Sequence, residues 1–123
     1  MNHQIHLESV LEWFAAKAGS LDGSGVTIVG QTSMCGYDPS VRAWFNANSA
    51  IGQITFLTIG EVDFGEAHFE VLAIEHQFAF FREETVAALP SQQLEDAYAA
   101  FIAAMTGDYL GADGFRPVAY SNL

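Results

Sequence analysis

Positive charge is what this chain most lacks. Lys17, Arg42, Arg82 and Arg116 are its only lysines and arginines, against 15 Asp and Glu, and the net charge is −11. The four are scattered, so no basic stripe can track a phosphate backbone, and direct binding to nucleic acid is excluded. An anionic membrane surface is disfavoured for the same reason. No apolar run approaches the roughly 18–20 residues that a membrane-spanning helix needs. Cys35 is the single cysteine, which leaves no internal disulfide. The first residues, Met1-Asn2-His3-Gln4-Ile5-His6, carry no basic region and no long apolar stretch. The expectation is therefore no secretory signal, and a reducing cytoplasmic compartment.

Catalytic signatures are missing as well. There is no Gly-x-Ser-x-Gly elbow, no phosphate loop and no dinucleotide fingerprint. Gly23-Ser24-Gly25 precedes a strand pattern rather than a helix, the wrong context for cradling phosphate. The expectation is a protein that is not an enzyme, with no catalytic residue, cofactor or metal.

What the chain does have is apolar and aromatic content. It is 50% hydrophobic and 13% aromatic over 123 residues, which argues against disorder despite the charge. That length fits one domain, residues 1–123, with one real core.

Periodicity organises it. Residues 5–18 read as an amphipathic helix on Leu7, Val10, Leu11 and Phe14, with Gly19 as its stop. Residues 21–25 form a turn cluster. Residues 26–29 are β-branched and read as a strand, and the polar stretch 30–40 reads as a loop. Residues 41–46 alternate, with Val41, Ala43 and Phe45 on one side and Arg42 and Trp44 on the other. Strands follow at 51–59, 68–74 and 78–82. Short connections between them favour an antiparallel meander. A second helix opens on Ser91 as N-cap, carries Leu94, Tyr98, Phe101, Ile102 and Met105 as its stripe, and ends at Gly107. Residues 108–123 read as mostly irregular, with room for a short final strand. The order predicts an α+β two-layer sandwich, with an antiparallel sheet of about five strands and an N-terminal and a C-terminal helix on one face.

The other sheet face is the one of functional interest. Strand parity turns Ile54 and Phe56 inward. It leaves Ile51, Leu57 and Ile59 outside with Gln53 and Thr55, and Leu72 and Ile74 outside with His68 and Glu70. Seven carboxylates lie between residues 61 and 84: Glu61, Asp63, Glu66, Glu70, Glu75, Glu83 and Glu84, with only Arg82 among them to oppose. Folded compactly, this third of the chain should make one face strongly negative and attract a cationic partner. Glu66, His68 and Glu70 project from one side of a strand, a pattern that reads better as a solvated row than as metal ligands. Cys35 has no nearby cation to activate it and reads as an incidental loop cysteine, although a Cys–His pair distant in sequence stays open. Trp13 reads as core. Trp44 shares the parity of Arg42, and Phe64, between Asp63 and Gly65, is the aromatic best placed as an interface anchor.

Residues 52–63, Gly-Gln-Ile-Thr-Phe-Leu-Thr-Ile-Gly-Glu-Val-Asp, resemble the glycine-bounded strand of bacterial polymorphic-toxin immunity proteins of the TriTu type. Phe69-Glu70-Val71-Leu72 and the helix from Ser91 to Met105 follow in the order of that family, so the resemblance covers roughly residues 50–106. It implies a cytoplasmic antidote that binds a cognate secreted toxin domain and blocks its active site, the toxin being basic at its substrate cleft. The residues expected to meet that partner are Glu61, Asp63, Phe64, Glu66 and Glu70. Two other readings suit the same composition. One is a homodimeric chaperone of the type III secretion kind, for which the mixed outer face would serve dimerisation. The other is a small-ligand or metal-binding α+β protein using Glu66, His68, Glu70 and Cys35.

Overall fold

The computed structural model describes residues 3–34, 40–58, 65–73, 78–86, 91–108 and 114–119. Helix α1 spans His3–Gly19, and five strands follow: β1 Thr27–Met34, β2 Ser40–Asn46, β3 Ala50–Thr58, β4 Gly65–Ala73 and β5 Phe78–Val86. Helix α2 spans Gln92–Met105, and β6, Arg116–Ala119, closes the order. The sheet has six strands in the order β1-β2-β3-β4-β5-β6, every pair antiparallel. It is the expected α+β two-layer fold, with one strand more than five. Among the described residues no helix is long and apolar enough to cross a membrane.

Alternation in β4 shows how the sequence builds the layers. Gly65, Ala67, Phe69, Val71 and Ala73 are buried, while Glu66, His68, Glu70 and Leu72 are half-buried on the opposite face. The same parity buries Val41, Ala43 and Phe45 on β2 and Ile54 and Phe56 on β3. Both helices pack on this inner face, α1 over β2 and β3, α2 over β3, β4 and β5. Val10 and Phe14 of α1 and Leu94, Tyr98, Phe101, Ala104 and Met105 of α2 complete the core. Phe101 sits at its centre, edge-on to Phe45 at 5.0 Å and tilted against Phe69 at 5.9 Å. Such aromatic pairs add about 0.5–1.5 kcal/mol to the burial of each ring.

Gly52 lets α2 come this close. It lies on β3 between Phe45 and Val71, on the helix-facing side. A Cβ there would stand 2.7 Å from Met105 Sδ and 3.0 Å from both Phe101 Cζ and the Glu70 carbonyl oxygen. Ser91 caps α2 as expected, its Oγ accepting from the Leu94 amide at 3.2 Å.

The sequence reading needs correction at the sheet edges. Residues 30–34, expected as loop, continue β1 along β2. They are polar because β1 is an edge strand whose far half extends beyond the helices, and Gln31, Thr32 and Ser33 are exposed. Alternation is also broken by a bulge: Ile28 pairs with Phe45 and Gly30 with Trp44, leaving Val29 as the extra residue. β4 begins at Gly65 rather than 68, and β5 runs to Val86 rather than 82.

Candidate functional site: the outer face of the sheet

No described helix or strand layer covers the face opposite α1 and α2. Strand register lays its side chains out as four rows. The first is Asn46, Ile51, Leu72 and Ala79, and the second is Trp44, Gln53, Glu70 and Phe81. The third is Arg42, Thr55, His68 and Glu83, and the fourth is Ser40, Leu57, Glu66 and Thr85. Apolar groups gather in the first two rows and ionisable groups in the last two, with Glu70 between them.

The apolar end holds a trough of about 430 Å³, lined by Val29, Trp44, Asn46, Ile51, Gln53, Glu70 and Leu72, with Phe45 and Gly52. Its rim carries the large apolar side chains that stand furthest into solvent, Val29 at 60% and Ile51 at 42% exposure. Val29 follows the inward Ile28 and is the extra residue of the bulge, opposite Trp44 together with Gly30. The isolated glycine at position 30, inside a β-branched run, was the available sequence signal for that bulge. Gln53 Nε2 donates to Glu70 Oε2 at 3.1 Å and holds this carboxylate at the trough wall.

The polar end is a network rather than a bare negative field. Arg42 Nε donates to Thr55 Oγ1 at 3.2 Å and shields it to 8% exposure. His68 Nε2 lies 3.0 Å from Glu66 Oε1 and 3.7 Å from Glu83 Oε2. An ionised carboxylate only accepts, so Nε2 carries the proton and donates to Glu66. Among the described residues no group of three His, Cys, Asp or Glu converges to hold a metal ion.

The expected partner residues are brought together only in part. Glu66 and Glu70 share the outer face of β4, as the alternation required. Glu61, Asp63 and Phe64 lie outside the described residues, as do Glu75 and Cys35. Glu84 does not join the acidic face. It lies on the helix side of β5, where Arg82 Nε donates to its Oε2 at 2.9 Å. Both side chains are mostly buried, and Gly114 runs alongside, where a Cβ would sit 3.0 Å from the Arg82 guanidinium. Arg82 therefore does not oppose the outer carboxylates; Arg42, from β2, stands in one row with His68 and Glu83.

A second polar cluster joins the two helices. Trp13 Nε1 donates to Glu95 Oε2 at 2.7 Å, and Lys17 Nζ donates to Glu95 Oε1. The Lys17 ammonium also lies over the Trp13 and Tyr98 rings, at 5.5 and 5.1 Å. Burial alone would raise the Glu95 carboxyl pKa; the hydrogen bonds from Lys17 and Trp13 and the Lys17 charge outweigh it and hold the group below its ordinary value. Tyr98 is pushed up to about 12 by burial and by the Glu95 charge. Its hydroxyl is buried without a hydrogen-bond partner. This cluster braces α1 against α2 and faces away from the outer trough.

Comparison with family models, with curated proteins and with solved structures gives no match for this chain.

Proposed function

We propose that the protein is an immunity protein that binds a cognate toxin domain through the outer face of its sheet and covers the toxin's basic active-site cleft. One observation carries this reading: the face left open by the helices combines an apolar trough with Glu66, Glu70 and Glu83 beside it. Exposed apolar surface rimmed by polar groups is typical of protein interfaces. An overall charge of −11 adds a field that draws in a cationic partner and repels nucleic acid. The resemblance over residues 50–106 points the same way, with its strand, acidic strand and helix corresponding to β3, β4 and α2. In this reading the protein acts in the cytoplasm by occlusion, without catalysis or a cofactor.

The test is co-expression with the C-terminal domain of the secreted protein encoded beside this gene. Rescue of growth and a complex that co-purifies are the expected outcomes. Reversing two charges, Glu66→Lys and Glu70→Lys, takes the net charge from −11 to −7 at +2 per substitution. Association should slow by about tenfold at low salt and depend less on salt. Toxicity without rescue, with a dimer in light scattering that binds unfolded peptides, would instead favour the chaperone reading.

A further inference from the structure

We propose that the outer trough is a receptor for an arginine side chain of the partner. This deepens the reading above and rests on it. An apolar trough needs only an apolar occupant, but this one has a single carboxylate set into its wall. Glu70 Oε2 is occupied by Gln53, whereas Oε1 has no partner among the described residues. That hydrogen bond restrains the rotation of the carboxylate and leaves its other oxygen able to accept from an entering donor, a partly pre-organised acceptor.

The remaining walls select the donor. Trp44 and Glu70 lie in one row with Gln53 between them, so their strands are two spacings, about 10 Å, apart. A side chain lying across that row must be long, apolar along its stem and cationic at its head. Ile51 and Leu72, in the adjacent row, offer the stem an apolar flank. Trp44 lines the trough with an indole, and a planar guanidinium stacks on an indole better than a compact, strongly hydrated ammonium does. Arginine meets all of these conditions, and it is enriched where interfaces concentrate their energy. The volume of about 430 Å³ admits the side chain with part of its flanking backbone. Arg42 is held one row away, its Nε donating to Thr55 Oγ1.

The probe is N-acetylarginine amide, titrated into the full chain while the indole N–H resonances of Trp13 and Trp44 are followed by NMR. The expected result is a saturable millimolar shift of the Trp44 signal. The Trp13 signal, bound to Glu95 on the other side of the molecule, should stay fixed. N-acetylnorleucine amide, with the stem and no cation, should bind at least about tenfold more weakly, and so should the arginine probe to Glu70→Gln. N-acetyllysine amide should bind more weakly than arginine. A second variant, Gln53→Leu, frees the carboxylate to rotate and should weaken binding while Glu70 is still present. No saturable Trp44 shift, or equal binding of norleucine, overturns the receptor, and equal binding of lysine overturns the choice of arginine. Failure here with growth rescue intact removes the arginine anchor and leaves the immunity reading standing. Arginine binding without rescue does the reverse.

Discussion

Gly52→Ala adds one methyl group at the tightest point between the sheet and α2, and the structure indicates what it costs. The new Cβ would stand 2.7 Å from Met105 Sδ, 3.0 Å from Phe101 Cζ and 3.0 Å from the Glu70 carbonyl oxygen. These three neighbours differ in how far they can move. Met105 is unbranched at its end and can swing. Phe101 is wedged between Phe45 and Phe69 and has no free direction. The Glu70 carbonyl belongs to the β4 backbone, and shifting it disturbs the ladder on either side. Relief therefore requires α2 to lift, which loosens packing along its buried stripe. Overpacking of this kind costs about 1–3 kcal/mol. The lower entropy of the unfolded chain returns about 0.4–1 kcal/mol. A net loss of about 1–2 kcal/mol is expected, lowering Tm by roughly 5–10 °C. Urea unfolding followed by far-UV circular dichroism measures it. Gly19→Ala, with nothing within 4 Å of its added Cβ, is the control and should be neutral or slightly stabilising. Met105→Ala in the Gly52→Ala background should cost less than in the native background, because the two side chains compete for one space. A neutral Gly52→Ala would refute the close approach of α2 to β3.

The helix–helix cluster and the cap supply the other predictions. Tyr98→Phe removes a buried hydroxyl that lacks a partner and should stabilise by about 1 kcal/mol in the same urea assay. Because the folded phenol titrates near 12 rather than at the ordinary 10, folding favours its protonated form. That contribution is complete below pH 10 and is lost as pH rises to 12, by about 2–3 kcal/mol, and the fall should shrink in Tyr98→Phe. Glu95 has the opposite sign. Its lowered pKa gives a contribution present above its ordinary value of 4.5 and lost as pH falls through the folded value. Screening of this partly exposed pair limits the effect to no more than about 1 kcal/mol, and Glu95→Gln should flatten that part of the acid limb. Ser91→Ala should cost about 1 kcal/mol by leaving the Leu94 amide uncapped, read again from the urea midpoint.

Much of this architecture is legible in the sequence where one face of an element is dry and the other wet. β4 alternates without interruption because α2 covers one side of it and no described helix covers the other, so its inner and outer residues can be read directly. β2 and β3 read the same way, and α2 shows both its cap and its stripe. Legibility fails where that contrast fails. The far half of β1 is wet on both sides, so Gln31, Thr32 and Ser33 look like loop. The bulge at Val29 shifts the parity of the residues that follow it, so that Gly30 pairs with Trp44 and Gln31 with Ala43. Arg82 and Glu84 have the inward parity of β5 despite their polar head groups; a mutual hydrogen bond lets them stay there, which a count of acidic residues could not show. Of the candidate site, Glu66 and Glu70 were readable from their alternation. The trough was not, because it needs Trp44 from β2, Ile51 from β3 and Leu72 from β4 in register, and register is set by pairing rather than by local pattern.

The two faces of the sheet divide stability from recognition. The inner face is closed by helices that meet it without slack, as Gly52 requires, so a change there is felt as unfolding. On the outer face Val29 and Ile51 pack on little and contribute little, and replacing either by serine should alter stability by less than about 0.5 kcal/mol. A fold under no functional constraint has no reason to keep such side chains in water beside a fixed carboxylate. In the proposed complex their placement would lower the cost of binding, because the surface is already shaped and an apolar patch would be desolvated when covered. In that proposed complex the polar rows beside it would set orientation and rate, while the trough would set how long the partner stays. Raising salt should therefore slow association while leaving dissociation nearly unchanged. Substitutions at Val29, Trp44 or Ile51 should do the reverse.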